Sequence, residues 1–299
     1  MGKDFQNLKV AIVCDWLTNL GGAEKVIASL HRLFPEAPIY TTLYDPKRVK
    51  GFEDATIYAS FLQRIPFSKK AHSLFLSAMP LAVESFDLSS YDLVISSSHS
   101  VAKGVITKPD TLHICYCHTP MRYAWEPWEL EYRLRQFPKF LHKAIQKKIH
   151  RIRLWDRLTA DRVDHFIANS EAVKDRIRKY YRREAQVIHP PVEVKKFHQD
   201  TPQDFYLMVG RLIAYKRFDL VIQAFNDLGK PLLIAGTGPE EGRLKGLAKG
   251  NIRFLGRVHD EELKKRYAQC RALIFPQLED FGLPAVECMA SGSPVIFRK

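Results

Sequence analysis

The sequence predicts an α/β chain of two parallel-sheet domains, and three observations carry that prediction. Residues 8–14 (LKVAIVC) form a continuous apolar run without the alternation of a half-exposed strand, which reads as a strand covered on both faces. Similar short runs recur along the chain, each followed by a helical stretch, which is the strand–helix alternation of a layered α/β fold. The alternation occurs twice, before and after His189-Pro190-Pro191, whose paired prolines suit a linker. The predicted domains are 1–190 and 191–299, and 299 residues suffice for two domains of ordinary size.

In the first half, the strand at 8–14 leads through Asp15-Trp16-Leu17-Thr18-Asn19-Leu20 into Gly21-Gly22-Ala23-Glu24, which opens a helix running to Leu33. A Gly-Gly turn after the first strand lies at the carboxyl edge of the sheet and lets a ligand approach the backbone, so Gly21 and Gly22 are candidate binding residues. Strands are predicted at 38–43 and 56–60. Residues 61–81 mix Phe and Leu with Arg64, Lys69 and Lys70. They read either as a basic interfacial patch or as a core segment with solvated lysines. Residues 91–97 and 113–117 are further buried strands, the second delivering His118-Thr119-Pro120 to the sheet's ligand-binding edge. Residues 133–157 read as one very basic helix in which Phe137, Leu141, Ile145, Ile149 and Ile152 form an apolar stripe. That stripe packs on the core, while the basic face is solvated or lies on an anionic membrane. A strand at 163–169, a helix capped by Ser170 and a strand at 186–188 complete this half.

In the second half, residues 205–209 form a strand followed by Gly210-Arg211-Leu212, and Lys216-Arg217-Phe218-Asp219 begins the next helix. Arg211 and Lys216 straddle that turn and are candidate phosphate ligands. Gly236 and Gly238, after a strand ending at Ile234, suit a close backbone approach. Arg257 and Val258 follow the strand at 252–255. The stretch 275–292, FPQLEDFGLPAVECMASG, is the most informative: strand, loop, then a helix opening just after a proline. Glu279 stands in the loop and Glu287 in the helix, with Phe281, Gly282, Leu283 and Pro284 between them. Amides at the helix start, with two acids nearby, suit a ligand carrying both an anion and hydroxyls.

Composition bounds the function classes. The formal charge is +13 with 46% hydrophobic residues, and most of the excess charge lies in the first half, which favours anionic partners. The basic stretch lacks interleaved surface aromatics and no nucleic-acid module is present, so no nucleic-acid partner is expected. The N-terminal stretch enters a strand without a signal-peptide pattern, and the five cysteines form no C-x-x-C, so reduced core thiols in a cytoplasmic protein are expected. No Asp-x-Asp, H-x-x-x-H or Cys/His cluster occurs, so no metal site is expected.

The elements G-G-A-E, H-T-P, G-R-L with Y-K-R-F-D, and E-x7-E around FGLP occur in an order that resembles retaining nucleotide-sugar glycosyltransferases of the GT-B fold, family 4 type. The likeness runs from the first strand to the last residue. It implies two Rossmann-like domains facing a cleft, the first on the acceptor side and the second holding the donor. The second domain is expected to be incomplete, because the chain ends at Phe297-Arg298-Lys299 directly after a strand. M-R-Y-A-W-E is similar to enzymes that move mannose from GDP-mannose in O-antigen or related polysaccharide assembly. By this resemblance, the donor is a nucleoside diphosphate sugar and the acceptor a glycan or polyprenyl-diphosphate-linked hydroxyl. Arg211 and Lys216 stabilise the leaving diphosphate, Glu279 holds the donor sugar and Glu287 the ribose. His118 lies near the sugar ring, Val258 lies along the base, and the amides of Phe281, Gly282 and Leu283 face the donor. The expected location is cytoplasmic, with a peripheral place at the inner face of the plasma membrane as the alternative that the basic face of residues 133–157 leaves open. A GT-B nucleotide-sugar epimerase and an inactive nucleotide-sugar-binding scaffold are the alternatives.

Overall fold

The computed structural model describes residues 8–298 apart from 20, 67, 70–74, 136 and 278; Leu20, Lys70 and Lys299, named above, lie outside the described residues. The chain divides into two compact units, Met1–Pro191 and Val192–Lys299.

Unit 1 contains strands β1 (Val10–Cys14), β2 (Ile39–Thr41), β3 (Ile57–Ala59), β4 (Leu93–Ser98), β5 (Leu112–Cys117), β6 (His165–Ala168) and β7 (Ala185–Val187). They form one sheet in the order β3-β2-β1-β4-β5-β6-β7, with every pairing parallel. Its helices are α1 (Gly22–Leu33), α2 (Met79–Glu84), α3 (Arg122–Trp125), α4 (Pro127–Leu134), α5 (His142–Thr159) and α6 (Glu171–Arg176). The unbroken apolar run of β1 is explained by two cores: Ala11 and Val13 pack on one face, and Val10, Ile12 and Cys14 on the other. Ser170 caps α6 by accepting the Val173 N–H at 3.3 Å. The last turn of that helix widens into a π-helical stretch, Ile177–Tyr181.

The single basic helix expected over 133–157 is two helices. Pro138 has no N–H and disfavours helical geometry in Phe137, so α4 stops at Leu134, and a 3₁₀ turn at Lys139–Leu141 leads into α5. Only the later half of the stripe reaches the core. Ile149 and Ile152 are buried, whereas Phe137, Phe140 and Leu141 are exposed, Phe140 by 81%. Residues 61–81 also divide. Leu62 and Met79 enter the core, while Phe61, Ile65 and Leu81 face solvent.

Unit 2 has strands β8 (Tyr206–Val209), β9 (Leu232–Ala235), β10 (Ile252–Gly256), β11 (Leu273–Phe275) and β12 (Val295–Phe297), in the parallel order β10-β9-β8-β11-β12. Helices α7 (Phe218–Leu228), α8 (Glu241–Leu247), α9 (Asp260–Gln269) and α10 (Leu283–Ala290) flank it. Met208 of β8 packs into one apolar cluster and Leu207 into the other. Gly236 and Gly238 do permit a close backbone approach, but the approaching group is the chain itself. A Cβ on Gly236 would lie 1.9 Å from the Gly210 carbonyl oxygen, and one on Gly238 2.3 Å from that of Leu212. These glycines lock the loop after β9 onto the loop after β8, with Leu212 N–H donating to Thr237 O at 3.0 Å.

In each sheet the chain winds outward in one direction from its first strand and then resumes on that strand's other side. The reversal falls between β1 and β4 in unit 1, and between β8 and β11 in unit 2. Open parallel sheets bind ligands at the carboxyl ends of strands flanking such a reversal.

Candidate active site

In unit 2 the two loops at the reversal meet. Lys216 sits in a 3₁₀ turn (Ala214–Lys216) after β8, ahead of α7 rather than within its first turn, because Arg217 takes a left-handed conformation that separates the two. Its ammonium reaches Glu279 Oε1, in the loop after β11, at 2.8 Å. The two side chains are 13% and 20% exposed, so the pair is partly desolvated yet open to a ligand. A Cβ on Gly210 would touch Lys216 Nζ at 3.0 Å, so the glycine makes room for the lysine stem. Arg211 lies exposed in the same loop.

Gly282 is the N-cap of α10 with φ 87°, a conformation that costs other residues about 1–2 kcal/mol. A side chain there would also meet the Phe275 ring at 3.2 Å. The left-handed turn brings Phe281, Gly282 and Leu283 beside Glu279, whose Cβ would lie 3.9 Å from that of a substituted Gly282. The helix start offers fewer amides than its position suggests. Pro284 has none, and the Ala285 and Val286 N–H groups turn back onto Gly282 O at 2.9 and 3.3 Å. Leu283 supplies the remaining first-turn amide. Glu287 is buried one turn further along α10. Burial, followed by the Glu287 charge beside it, holds the Tyr267 hydroxyl well above its ordinary range. Val258 is half-buried in the loop after β10, at the sheet's edge and two strands from β8.

Unit 1 builds a second constellation at its own reversal. His118 follows β5 and its Nε2 is hydrogen-bonded to Ser97 Oγ at 2.8 Å. Burial, with the nearby His99, pushes its imidazole down to about 3, so it stays neutral. Its ring lies 5.2 Å from Tyr116 and 6.4 Å from His99 between centroids. Gly21 is the N-cap of α1 with φ −148°, extended backbone open to any residue. Gly22 begins the helix, and the adjacent amides are engaged by buried Glu24, whose carboxyl accepts the Gly21 N–H; burial holds that carboxyl above the usual range. The acid, rather than open amides, therefore fills the turn.

Sequence reasoning assigned no role to Asp15 and His99. Asp15, at the end of β1, is 1% exposed and accepts four backbone N–H groups from the loop after β4. His99 and Ser100 donate to Oδ2 at 2.7 and 3.0 Å, and Val101 and Ala102 to Oδ1 at 2.6 and 2.7 Å. His99 Nδ1 completes the set at 2.9 Å. Burial opposes the ionised form, yet the His99 charge and these donors hold Asp15 below the usual carboxylate range. The available signal was an acid directly after an apolar first strand, in a sequence that also places His99 at the end of another strand.

A buried histidine sets the acid stability of this unit. His113 donates from Nδ1 to Arg162 O at 3.2 Å and meets Ser96 Oγ through Nε2, and burial pushes it down to about 4. Its folded value lies below its unfolded one, so its contribution is complete above about pH 6.5 and is lost as pH falls toward 4. We expect about 2 kcal/mol lost to His113 at pH 5, with a loss of the same sign from His118, which burial pushes down to about 3. Urea unfolding of wild type and His113→Gln across pH 5–7.5 checks this. Equal pH slopes for the two proteins would show that His113 is not the group responsible.

The described residues include no helix long and apolar enough to cross a membrane. A family model described as Glycosyltransferase Family 4 matches residues 20–196, and one described as Glycosyl transferases group 1 matches residues 191–299. The chain is similar to the O-antigen chain mannosyltransferase RfbU of Salmonella typhimurium, with 29% identity over 165 residues, 51% of this chain and 46% of that protein. It is also similar to O-antigen chain mannosyltransferase B of Escherichia coli, with 35% identity over 107 residues, 31% of this chain and 28% of that protein. The chain thus spans less than half the length of each of these relatives. Among solved structures, Anabaena Alr3699/HepE in complex with UDP and glucose superposes with a TM-score of 0.66 at 15% identity, covering 97% of this chain and 80% of that one. Sucrose-phosphate synthase from Thermosynechococcus elongatus gives 0.65 at 17% identity, covering 96% and 81%. The fold is GT-B, with two Rossmann-like domains, and the chain belongs to glycosyltransferase family 4.

Proposed function

We propose that the protein is a retaining glycosyltransferase that takes a nucleoside diphosphate sugar into unit 2 and passes the sugar to an acceptor hydroxyl. The observation that carries this is the 2.8 Å pairing of Lys216 with Glu279 across the strand reversal, joining a cation suited to phosphate with an acid suited to sugar hydroxyls. When the donor binds, Lys216 and Arg211 neutralise the charge that develops on the departing diphosphate, and the Leu283 amide adds to this. Glu279 holds the donor sugar's hydroxyls. Glu287 accepts hydrogen bonds from the ribose, Val258 lies along the base, and Phe281 and Gly282 shape the wall between phosphate and sugar. The leaving-group oxygen takes the acceptor's proton as the new glycosidic bond forms on the same face. His118, neutral, orients a sugar hydroxyl in unit 1.

Mannose from GDP-mannose is the sugar and donor we favour, supported by the two similar mannosyltransferases. The acceptor is a glycan or a polyprenyl-diphosphate-linked glycan. No resident metal or cofactor is part of this reading.

A thermal-shift screen with GDP-, UDP- and ADP-sugars tests it, because a ligand that binds the native state raises its melting temperature. One class should stabilise the protein, GDP-mannose most; no shift with any of them would contradict the proposal and favour an inactive scaffold. Release of an epimerised free sugar without acceptor would instead favour an epimerase. Glu287→Ala should weaken binding of the stabilising nucleotide by about tenfold or more, from loss of hydrogen bonds to a charged group. Unchanged affinity by calorimetry would remove Glu287 from the ribose.

An anionic membrane surface is the proposed second partner, with the protein peripheral at the inner face of the plasma membrane. Exposed Phe137, Phe140 and Leu141 form an apolar tip with Lys139 among them and Arg135 and Lys143 on either side, a combination suited to lipid headgroups and acyl chains. Replacing Lys139 and Lys143 by Ala should weaken binding to phosphatidylglycerol-containing vesicles about thirtyfold, at roughly 1 kcal/mol per cation. Flotation at low salt checks this, and a wild-type protein that stays with the pellet would exclude the surface.

A further inference from the structure

We propose that Cys270 and Cys288 of unit 2 are a redox modification site: hydrogen peroxide joins them as a disulfide, and the bond moves α10 out of the position in which it serves the donor. The effect on the donor rests on the glycosyl-transfer reading; the site itself rests on the geometry of the two thiols.

All five cysteines are free thiols, and these two are set apart by their spacing. Cys270 directly follows α9 and Cys288 lies within α10, with their Sγ atoms 4.0 Å apart. A disulfide brings the sulfurs to about 2 Å, so one short approach separates the thiols from a bond. The neighbouring Cys288 thiol lowers the Cys270 thiol below its ordinary range and so favours the thiolate, the form that attacks an oxidant. Burial, by contrast, raises the thiols of Cys14 and Cys115 in unit 1, which stay protonated.

Cys270 is 1% exposed and Cys288 0%, so the oxidant must be small and enter by local opening, as hydrogen peroxide can. The Cys270 thiolate attacks one peroxide oxygen and becomes a sulfenic acid. The other oxygen leaves as hydroxide and takes up the proton that Cys270 released. The Cys288 sulfur then displaces the sulfenic oxygen, which leaves as water with the Cys288 proton. Two thiols and one peroxide thus give one disulfide and two waters, and two electrons pass from sulfur to oxygen.

The bond disturbs α10 through its surroundings. Cys270 Sγ donates to Tyr267 O at 3.3 Å and Cys288 Sγ to Ser293 O at 3.7 Å. A disulfide has no S–H, so both carbonyls lose that donor. Phe205, Leu207, Leu273, Phe275 and Ala285 belong to the same apolar cluster, and a close-packed interior passes a shift of about 2 Å on to its neighbours. Among those neighbours is the proposed ribose ligand. Glu287 immediately precedes Cys288, and its charge bears on Tyr267, one turn before Cys270. The turn after α10 is fastened at the same point, because Ser293 Oγ donates to Cys270 O at 3.2 Å. Drawing the two sulfurs together therefore displaces Glu287, and donor affinity falls.

The test treats the full chain with hydrogen peroxide, removes the excess with catalase, alkylates free thiols in denaturant and digests with trypsin. Cys270 falls in peptide 267–271 and Cys288 in peptide 272–298, so mass spectrometry should find these two peptides joined. Amide exchange across 283–290 should quicken in the oxidised protein. The Kd for whichever of GDP, UDP and ADP binds the reduced protein should rise about tenfold, the loss expected from one hydrogen bond to a charged group. Dithiothreitol should reverse both effects. Cys270→Ala and Cys288→Ala, either of which suffices if the other fails to fold, should bind that nucleotide within about twofold of wild type and give no response to peroxide. A missing joined peptide, unchanged exchange, or unchanged affinity for a nucleotide that the reduced protein binds overturns the proposal, as does a peroxide effect that survives in either variant. The joined peptide with quickened exchange, in a protein whose reduced form binds none of the three nucleotides, would leave the switch standing and remove the transfer reading instead.

Discussion

Lys216→Ala is expected to lower kcat/KM by about 10²–10³-fold, the usual loss when one preorganised donor to a developing charge is removed. The effect should be large because the substitution acts twice. It deletes the cation that the proposal sets against the leaving diphosphate, and it leaves the Glu279 carboxylate, 2.8 Å away before the change, partly buried and unneutralised beside an incoming anion. Glu279→Gln should behave differently. Removing that negative charge leaves Lys216 available to phosphate, so nucleoside diphosphate affinity should hold or improve while turnover falls. The double variant should lose less than the sum of the two single losses, since the residues are in direct contact. Steady-state kinetics on the four proteins checks this; strict additivity would show that the ion pair is incidental.

Lys103→Met is expected to destabilise unit 1 by about 3–5 kcal/mol, the range for removing one partner of a buried ion pair. Lys103 is 1% exposed and Asp156 fully buried, with Nζ 2.7 Å from Oδ1. The same ammonium donates to Asp156 O and Thr159 Oγ1, both at 2.8 Å, and lies over the Tyr181 ring at 4.9 Å. The other oxygen of Asp156 accepts from Trp125 Nε1 at 2.6 Å and from the Tyr181 hydroxyl at 2.9 Å. Methionine fills much of the volume but leaves the carboxylate with two neutral donors in place of a cation. Thermal unfolding should shift downward by roughly 10 °C for a unit of this size. A loss below about 1 kcal/mol would show that Asp156 is content with Trp125 and Tyr181 alone. The network also bears on the site, because Ala102 and Lys103 are neighbours. The loop that donates amides to Asp15 is tied to α5 by the next residue along.

The strands were legible because a sheet covered on both faces needs unbroken apolar runs, and residues 8–14, 91–97 and 113–117 supply them. Gly282 was legible for a local reason: a turn between strand and proline-led helix demands a left-handed residue, and φ is 87°. The break at Pro138 was written in the sequence too, but the three-to-four spacing of Phe137, Leu141 and Ile145 continues through it, and periodicity misled. Gly236 and Gly238 show a further limit. A glycine announces that something comes close, without saying whether that is a ligand or, as here, the backbone of residues 210–212. The Asp15–His99 pair was the least legible feature. Its members stand 84 positions apart, and only the order of strands, with β4 inserted beside β1, makes them neighbours. Lys216 and Glu279 were each nominated by their place beside a strand-to-helix turn and again by the family resemblance, while their contact is a property of the folded second sheet.

The central claim is that the cations and acids around the β8–β11 reversal act on one nucleoside diphosphate sugar. Calorimetric titration of wild type and Lys216→Ala tests it most directly, using the nucleoside diphosphate that most stabilises the protein and the corresponding nucleoside. The account predicts a loss of about tenfold or more in diphosphate affinity, with the nucleoside bound within about twofold of wild type. Equal losses for both ligands, or none for either, would contradict it.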